Sequence, residues 1–152
     1  MKKWLFILLI FPLFISAQAL YNPQDLYDNS GGLFDKDSLR SLYINFEDPN
    51  YHSVLQNSFF TNPSYRIPAT ITLNGTVYDS AGVRYKGNST FCIPNDNGNP
   101  KVPYNIDMNY WVSGQKILEY KKIKLANAYM DATFAKEFAS SRIYKKYLPT
   151  AE

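Results

Sequence analysis

The segment 83–90 contains the side chains with the clearest capacity for chemistry. Arg84 and Lys86 alternate with apolar residues, which is the period of a β-strand and places both cations on one of its faces. The strand leads into a turn of small and polar residues, whose backbone N–H groups and hydroxyls can surround an anion: Gly87, Asn88, Ser89 and Thr90. Both cations can reach a phosphate held there. A solvated strand face followed by an ordinary turn explains the same residues.

Composition argues against several other kinds of site. His52 is the only histidine, which leaves a Ser-His-Asp triad or a histidine-rich zinc site little basis, and we expect it at the surface. The loop 95–99 lacks the acidic spacing and closing glutamate of a calcium loop. Cys92 is the only cysteine, so no intramolecular disulfide is possible and a buried thiol is favoured. These residues predict no metal site.

Alternating and helical patterns predict the elements that position the segment 83–90. The clearest is a hairpin around Asn74-Gly75, a pair that supplies the positive φ angles of a two-residue turn. The other expectations are strands at 42–46, 67–73, 76–78, 83–86, 102–108 and 123–125, a bulge or turn at 79–82, a turn at 87–90 and a loop at 94–100. Helices are expected at 49–57, with Asp48 as N-cap and Pro49 in the first turn, and at 131–148. Together they predict an α+β fold, an antiparallel sheet of about five strands with a packed C-terminal helix.

The final helix has a wide apolar face. Phe134 and Phe138 are one turn apart, and Ala135, Ala139 and Ile143 broaden the surface. Because a helix of this kind is usually covered on more than one side, we interpret 38–152 as a domain truncated at its C-terminus.

The first 19 residues, 1–19, have the organisation of a secretory signal peptide. Two lysines precede an apolar run of about 12 residues, short of the roughly 20 that a membrane-spanning helix needs, and small residues follow. We expect cleavage near Ala17 or Ala19, an extended lead-in over 20–37, and a secreted or cell-surface product without stable membrane insertion. Loss of the two lysines leaves the chain nearly neutral, which gives no support for nucleic-acid binding.

Five motifs, in order, resemble the spore-coat protein H (CotH) family of secreted kinases. The segment 83–91, VRYKGNSTF, is similar to the family signature VRYKGNSSF. The strand followed by DPNYHSVL over 42–55, KVPYNIDM over 101–108, and LEYKKIKLANAYMDATFAKEFA over 118–139 resemble further family motifs. The ending YLPTAE, 147–152, resembles the point where family members continue into another strand.

The resemblance implies the amino-terminal lobe of an atypical protein-kinase-like fold. Such a transferase moves phosphate from ATP to Ser or Thr of a protein substrate with Mg²⁺ or Mn²⁺. Glu137 would be the partner of a strand lysine, with Lys101 preferred and Lys124 the alternative because its strand directly precedes the helix. The implied nucleotide-binding set is Arg84, Lys86, Gly87, Asn88, Ser89, Lys101 and Glu137. Asn127 and Asp131 also match, although turn-making and N-capping explain them at least as well.

The family's metal-binding and catalytic aspartates are expected beyond the residues given. No catalytic residue or metal ligand is therefore assigned here, and catalysis would need the missing C-terminal lobe. The alternative function is an exported cell-surface binding or adhesion module on the same fold without catalysis, since a fold does not fix a function. The 13 tyrosines suit contact with sugars or proteins.

Overall fold

The computed structural model describes residues 30–35 and 37–144. The element order is β1 (Leu42–Phe46), α1 (Tyr51–Thr61), β2 (Ile67–Leu73), β3 (Thr76–Tyr85), α2 (Ser89–Asp96), β4 (Tyr104–Asp107), β5 (Lys122–Leu125) and α3 (Lys136–Tyr144). The signal peptide and most of the lead-in expected from the sequence lie outside the described residues. None of the described helices is long and apolar enough to cross a membrane.

The strands form one antiparallel sheet in the order β1-β2-β3-β4-β5. Each strand pairs with the strand before or after it in the sequence, so no connection crosses over another strand. The α+β class and the five-stranded antiparallel sheet predicted from the alternating patterns are confirmed.

The hairpin between β2 and β3 forms at the expected turn. Asn74 and Gly75 have φ angles of 48° and 89°, and Leu73 pairs with Thr76 across the turn. The register then shifts between Ala69 and Ile71, where Ser80 on β3 has a φ of 56°. An extra residue on one strand is a β-bulge, so the bulge expected within 79–82 is confirmed, and β3 runs through it.

One face of the sheet carries two apolar clusters. The first lies on the strands themselves and includes Ile71, Val83 and Ile106, all fully buried. The second joins the sheet to α1 and α2 and comprises Leu55, Ile67, Tyr85, Phe91 and Val102. The helices therefore cover the end of the sheet at which β3 delivers the segment 83–90.

Helix α2 corrects the expectation of a turn at 87–90 and a loop at 94–100. Pro94 and the Asn-rich run after it favour a break, yet Ser89–Asp96 is helical. Phe91 and Pro94 are buried, and the Phe91 ring centroid is 3.9 Å from that of Phe59 on α1. Burial of these side chains outweighs the weak local helix preference.

Helix α1 begins at Tyr51 with Asn50 as its N-cap, rather than at Pro49 with Asp48 as N-cap, and it ends one turn after the expected Asn57. The added turn is held by Phe59, which packs on the second cluster. His52 is half-buried rather than a surface residue, and its Nδ1 is hydrogen-bonded to the Tyr85 hydroxyl at 2.7 Å. Burial raises the pKa of that hydroxyl, which keeps Tyr85 neutral.

Helix α3 begins at Lys136, five residues after the expected start at Asp131. Phe134 has a φ of 55°, a left-handed conformation that no α-helix contains. The expected packing of this helix on the sheet is wrong for 136–140 and 142–144, all of which are exposed. The aromatic and apolar side chains expected on its wide face are solvent-accessible: Phe134, Phe138 and Ile143.

Candidate functional site

A cleft of about 400 Å³ opens where the ends of several elements meet. The end of β3 contributes Lys86, the start of α2 contributes Thr90, and the start of α3 contributes Lys136 and Glu137. The segment 126–131, which links β5 to α3, forms the remaining wall together with Pro103. The volume is within the range typical of small-molecule sites.

The backbone at Lys86 is positioned by a hydrogen bond to β4 and by the turn that follows it. Its N–H donates to the carbonyl of Pro103 at 3.1 Å, which extends the β3–β4 ladder by one bond. Gly87 follows with a φ of 86°, and a Cβ at this position would overlap the Thr90 hydroxyl oxygen. The left-handed φ of this turn favours glycine, and a larger residue would also have to displace the Thr90 hydroxyl.

Asn127 links the wall formed by 126–131 to the backbone at Thr90 and Lys101. Its side-chain Nδ2 donates to the carbonyl of Thr90 at 2.8 Å and to that of Lys101 at 2.9 Å. The Asn127 side chain is buried, whereas Thr90 and Lys101 are exposed residues, so the two bonds are partly buried. The turn-making role considered for Asn127 is present as well, because its Oδ1 accepts a hydrogen bond from the N–H of Tyr129 at 3.4 Å.

Asp131 organises the start of α3. Its Oδ1 accepts from the N–H and the hydroxyl of Thr133, at 3.0 and 2.6 Å, and its Oδ2 accepts from the N–H of Lys136 at 2.7 Å. The Thr133 hydroxyl bond, joined by the two backbone bonds, lowers the pKa of the carboxyl. Asp131 is not the N-cap that the sequence predicted, because α3 begins five residues later, but its Oδ2 accepts from the first N–H of that helix.

The cleft brings together two of the residues chosen from the sequence, Lys86 and Glu137. Lys136 and Asp131 also line the cleft, so two lysines and two acidic residues contribute to its walls. Asn88 and Ser89 lie at the adjacent start of α2 and are exposed. Positive charge next to this turn is the arrangement that phosphate binding needs.

Three other candidates do not meet there. Arg84 donates from Nη1 to the Pro63 carbonyl at 2.9 Å, toward the loop that precedes β2. Lys124 is exposed on β5, where it pairs with Asn105 of β4. The lysine preferred for the pair with Glu137, Lys101, instead lies with Nζ 3.7 Å from the Phe134 ring centroid.

The expected Lys101–Glu137 ion pair is absent from the described residues. The ion pairs of this part of the chain are Lys116–Glu119 and Lys122–Asp107. The reason is the late start of α3: Phe134 lies outside the helix, with its ring against the Lys101 ammonium.

Two features of the cleft were not identified from the sequence. Lys136 was not among the candidates chosen from the sequence, although its place beside Glu137 puts it at the same helix start. The wall 126–131 contains Ala128 and Met130 at φ angles of 45° and 62°. No residue type in this segment signals that conformation, because alanine and methionine seldom adopt it.

The acidic groups of the cleft do not fit a divalent metal. Within 30–35 and 37–144, no group of three or more His, Cys, Asp or Glu side chains is placed to hold a metal ion. The Asp131 carboxylate is already occupied by three hydrogen bonds. Mg²⁺ and Mn²⁺ need carboxylate oxygens that are free to coordinate.

No protein-family model, curated protein or solved structure matches this chain.

Proposed function

We propose that this chain is the amino-terminal part of a secreted CotH-like protein kinase and that its cleft binds the phosphates of ATP. The observation that carries the proposal is the meeting of Lys86, Asn127, Asp131 and Glu137 around one cleft. Lys86 lies in 83–91 and the other three residues lie in 118–139, and both segments resemble motifs of the CotH family. Transfer would be to Ser or Thr of a protein substrate.

Lys86 takes the role for which Lys101 was preferred. Lys86 lines the cleft next to the Gly87 turn, whereas the Lys101 ammonium lies over the Phe134 ring. Lys136 is a second lysine among the residues that line the cleft. Two lysines suit the negative charge of a nucleotide phosphate chain.

No step of phosphoryl transfer is assigned to residues of this chain. The described acidic side chains do not fit the metal that kinases use, and the resemblance expects the catalytic aspartates in a C-terminal lobe. The proposed contribution of this part is to bind and orient the phosphates.

Titration of the purified chain with ATP tests the proposal. We expect Lys86→Ala to weaken ATP binding by at least about tenfold, since a hydrogen bond to a charged group contributes about 1.5–3 kcal/mol. Lys101→Ala should have a smaller effect. Lys116→Ala is the matched control, because Lys116 is exposed and does not line the cleft.

Equal ATP affinity in the wild type and the Lys86→Ala variant would contradict the assigned site. Absence of ATP binding by a folded wild-type chain, and by a longer protein that contains it, would favour the exported binding or adhesion module instead.

A further inference from the structure

Strand β5 has an open side within the described part of the chain. It pairs with β4 on one side, and no described strand lies on the other. The bond from the Met108 N–H to the Lys121 carbonyl fixes the phase of the ladder. Hydrogen-bonded pairs alternate in an antiparallel ladder, so Ile123 and Leu125 bond to β4 while the N–H and C=O of Lys122 and Lys124 point to the open side.

The side chains of β5 divide between the two faces of the sheet. Ile123 belongs to the first apolar cluster and Leu125 packs against it, whereas Lys122 and Lys124 are exposed on the opposite face. The open edge therefore offers free backbone groups, a basic row and an apolar row together.

The basic row is only partly neutralised. Lys122 Nζ is 3.2 Å from Asp107, and Lys124 takes part in neither ion pair of the described residues. Across the sheet, Lys124 pairs with Asn105, which in turn pairs with Arg84, so no acidic side chain lies in this row of β3, β4 and β5. An acidic residue placed next to Lys124 would meet uncompensated positive charge.

We propose that β5 binds an extended acidic segment of a partner protein as a sixth strand. Acidic side chains of the partner would lie beside Lys122 and Lys124, and apolar side chains at the alternate positions would extend the core next to Ile123 and Leu125. A polypeptide fits because it alone supplies backbone donors and acceptors at strand spacing. This inference is independent of the proposed nucleotide site.

A second copy of the chain is a poorer occupant of the same edge. Pairing two β5 strands would set the lysines of one copy among those of the other, and edge lysines are a common protection against self-pairing. The two lysines thus oppose self-association and favour an acidic partner at the same time.

The test uses synthetic octapeptides and amide NMR of the chain. A peptide of alternating glutamate and valine should shift the amide signals of Lys122 and Lys124 and slow their hydrogen exchange. The double variant Lys122→Glu, Lys124→Glu should bind it at least about tenfold more weakly, because two attractions become repulsions. A lysine–valine peptide should restore binding to that variant. Lys116→Glu is the control, since it reverses an exposed lysine elsewhere.

N-methylation of alternate peptide amides separates strand addition from simple charge attraction. We expect the methylated peptide to lose binding, because it cannot donate to the Lys122 and Lys124 carbonyls. Unchanged affinity on methylation, or equal affinity of the double variant for the glutamate–valine peptide, would overturn the proposal. So would concentration-dependent dimerisation of the chain through β5, which would assign this edge to a second copy.

Discussion

The backbone carbonyl of Thr90 accepts a hydrogen bond from the side-chain amide of Asn127 at 2.8 Å. In an uninterrupted α-helix the donor to this carbonyl would be the N–H four residues later, at the position of Pro94, and proline has none. Pro94 therefore leaves the carbonyl without its usual helical donor, and the Asn127 amide donates to it instead. The wall 126–131 of the cleft is therefore bonded to α2 at the carbonyl that lacks a helical donor.

Replacement of Asn127 by alanine tests the strength of this attachment. We expect Asn127→Ala to lower the free energy of unfolding by about 1–3 kcal/mol, because two hydrogen bonds are lost and each contributes about 0.5–1.5 kcal/mol. Urea denaturation followed by circular dichroism measures the change. Asn45→Ala, at an exposed position of β1, should stay within about 0.5 kcal/mol of wild type. Similar values for the two variants would show that the attachment contributes little.

A double-mutant cycle tests the part played by Pro94. Pro94→Ala restores an N–H that can donate to the Thr90 carbonyl, although loss of the buried ring is itself destabilising. Asn127→Ala should therefore cost about 1 kcal/mol less in the Pro94→Ala background than in the wild type. Additive costs in the same denaturation assay would argue that the two residues do not share this carbonyl.

Replacement of Gly87 by alanine tests the turn that carries Lys86 into the cleft. The left-handed φ alone should cost about 1–2 kcal/mol, and the overlap with the Thr90 hydroxyl should add to it. Gly98→Ala is the matched control, since Gly98 has a φ of 67° but open space around it. In a Thr90→Ala background, which lacks the hydroxyl, Gly87→Ala should lower the free energy of unfolding by about as much as Gly98→Ala does. Equal stability of Gly87→Ala and Gly98→Ala in the chain that keeps Thr90 would show that the overlap is relieved without cost.

The hydrogen bonds of Asp131 predict a pH-dependent stability. Its pKa is lowered in the folded chain, so the ionised carboxylate is the form that stabilises the start of α3. This contribution is complete above the unfolded pKa of about 3.9 and is lost as the pH falls through the lower folded pKa. Asp131→Asn should thus reduce stability at pH 7, and the difference from wild type should shrink on acidification below about pH 4.

Urea denaturation of both proteins over this pH range measures the effect. The pKa of Asp35 is also lowered, first of all by a hydrogen bond from the Gly31 N–H. Asp35 is present in both proteins, so its contribution to the pH dependence cancels in the difference between them. A wild-type–variant difference that stays constant down to pH 2 would show that Asp131 does not act through its charge.

Local patterns were sufficient for the sheet. The Asn74-Gly75 turn and the alternation in β2, β4 and β5 depend on neighbouring residues, and the structure confirms them. Helix α2 was missed because Pro94 and the Asn-rich run after it argue against a helix, while the burial that stabilises it comes from α1, which is distant in sequence.

The candidate site was predictable only in part. Lys86 and Glu137 come from motifs, and both line the cleft. The Lys101–Glu137 pair, a prediction for the full-length protein, is not among the ion pairs of the described residues, and it assumed a helix from Asp131. The left-handed conformation of Phe134 delays α3 and places an aromatic ring at the lysine, and no sequence pattern indicated either result.

The bond between Thr90 and Asn127 also has a consequence for the order of folding. It joins residues 37 positions apart, whereas the β2–β3 hairpin closes through a two-residue turn. Contacts that close long loops incur a larger entropy loss before they contribute, so we expect this wall to form after the hairpin. Loss of the Asn127 amide should accordingly speed unfolding far more than it slows refolding, and the cleft would be the first feature to open in a native chain.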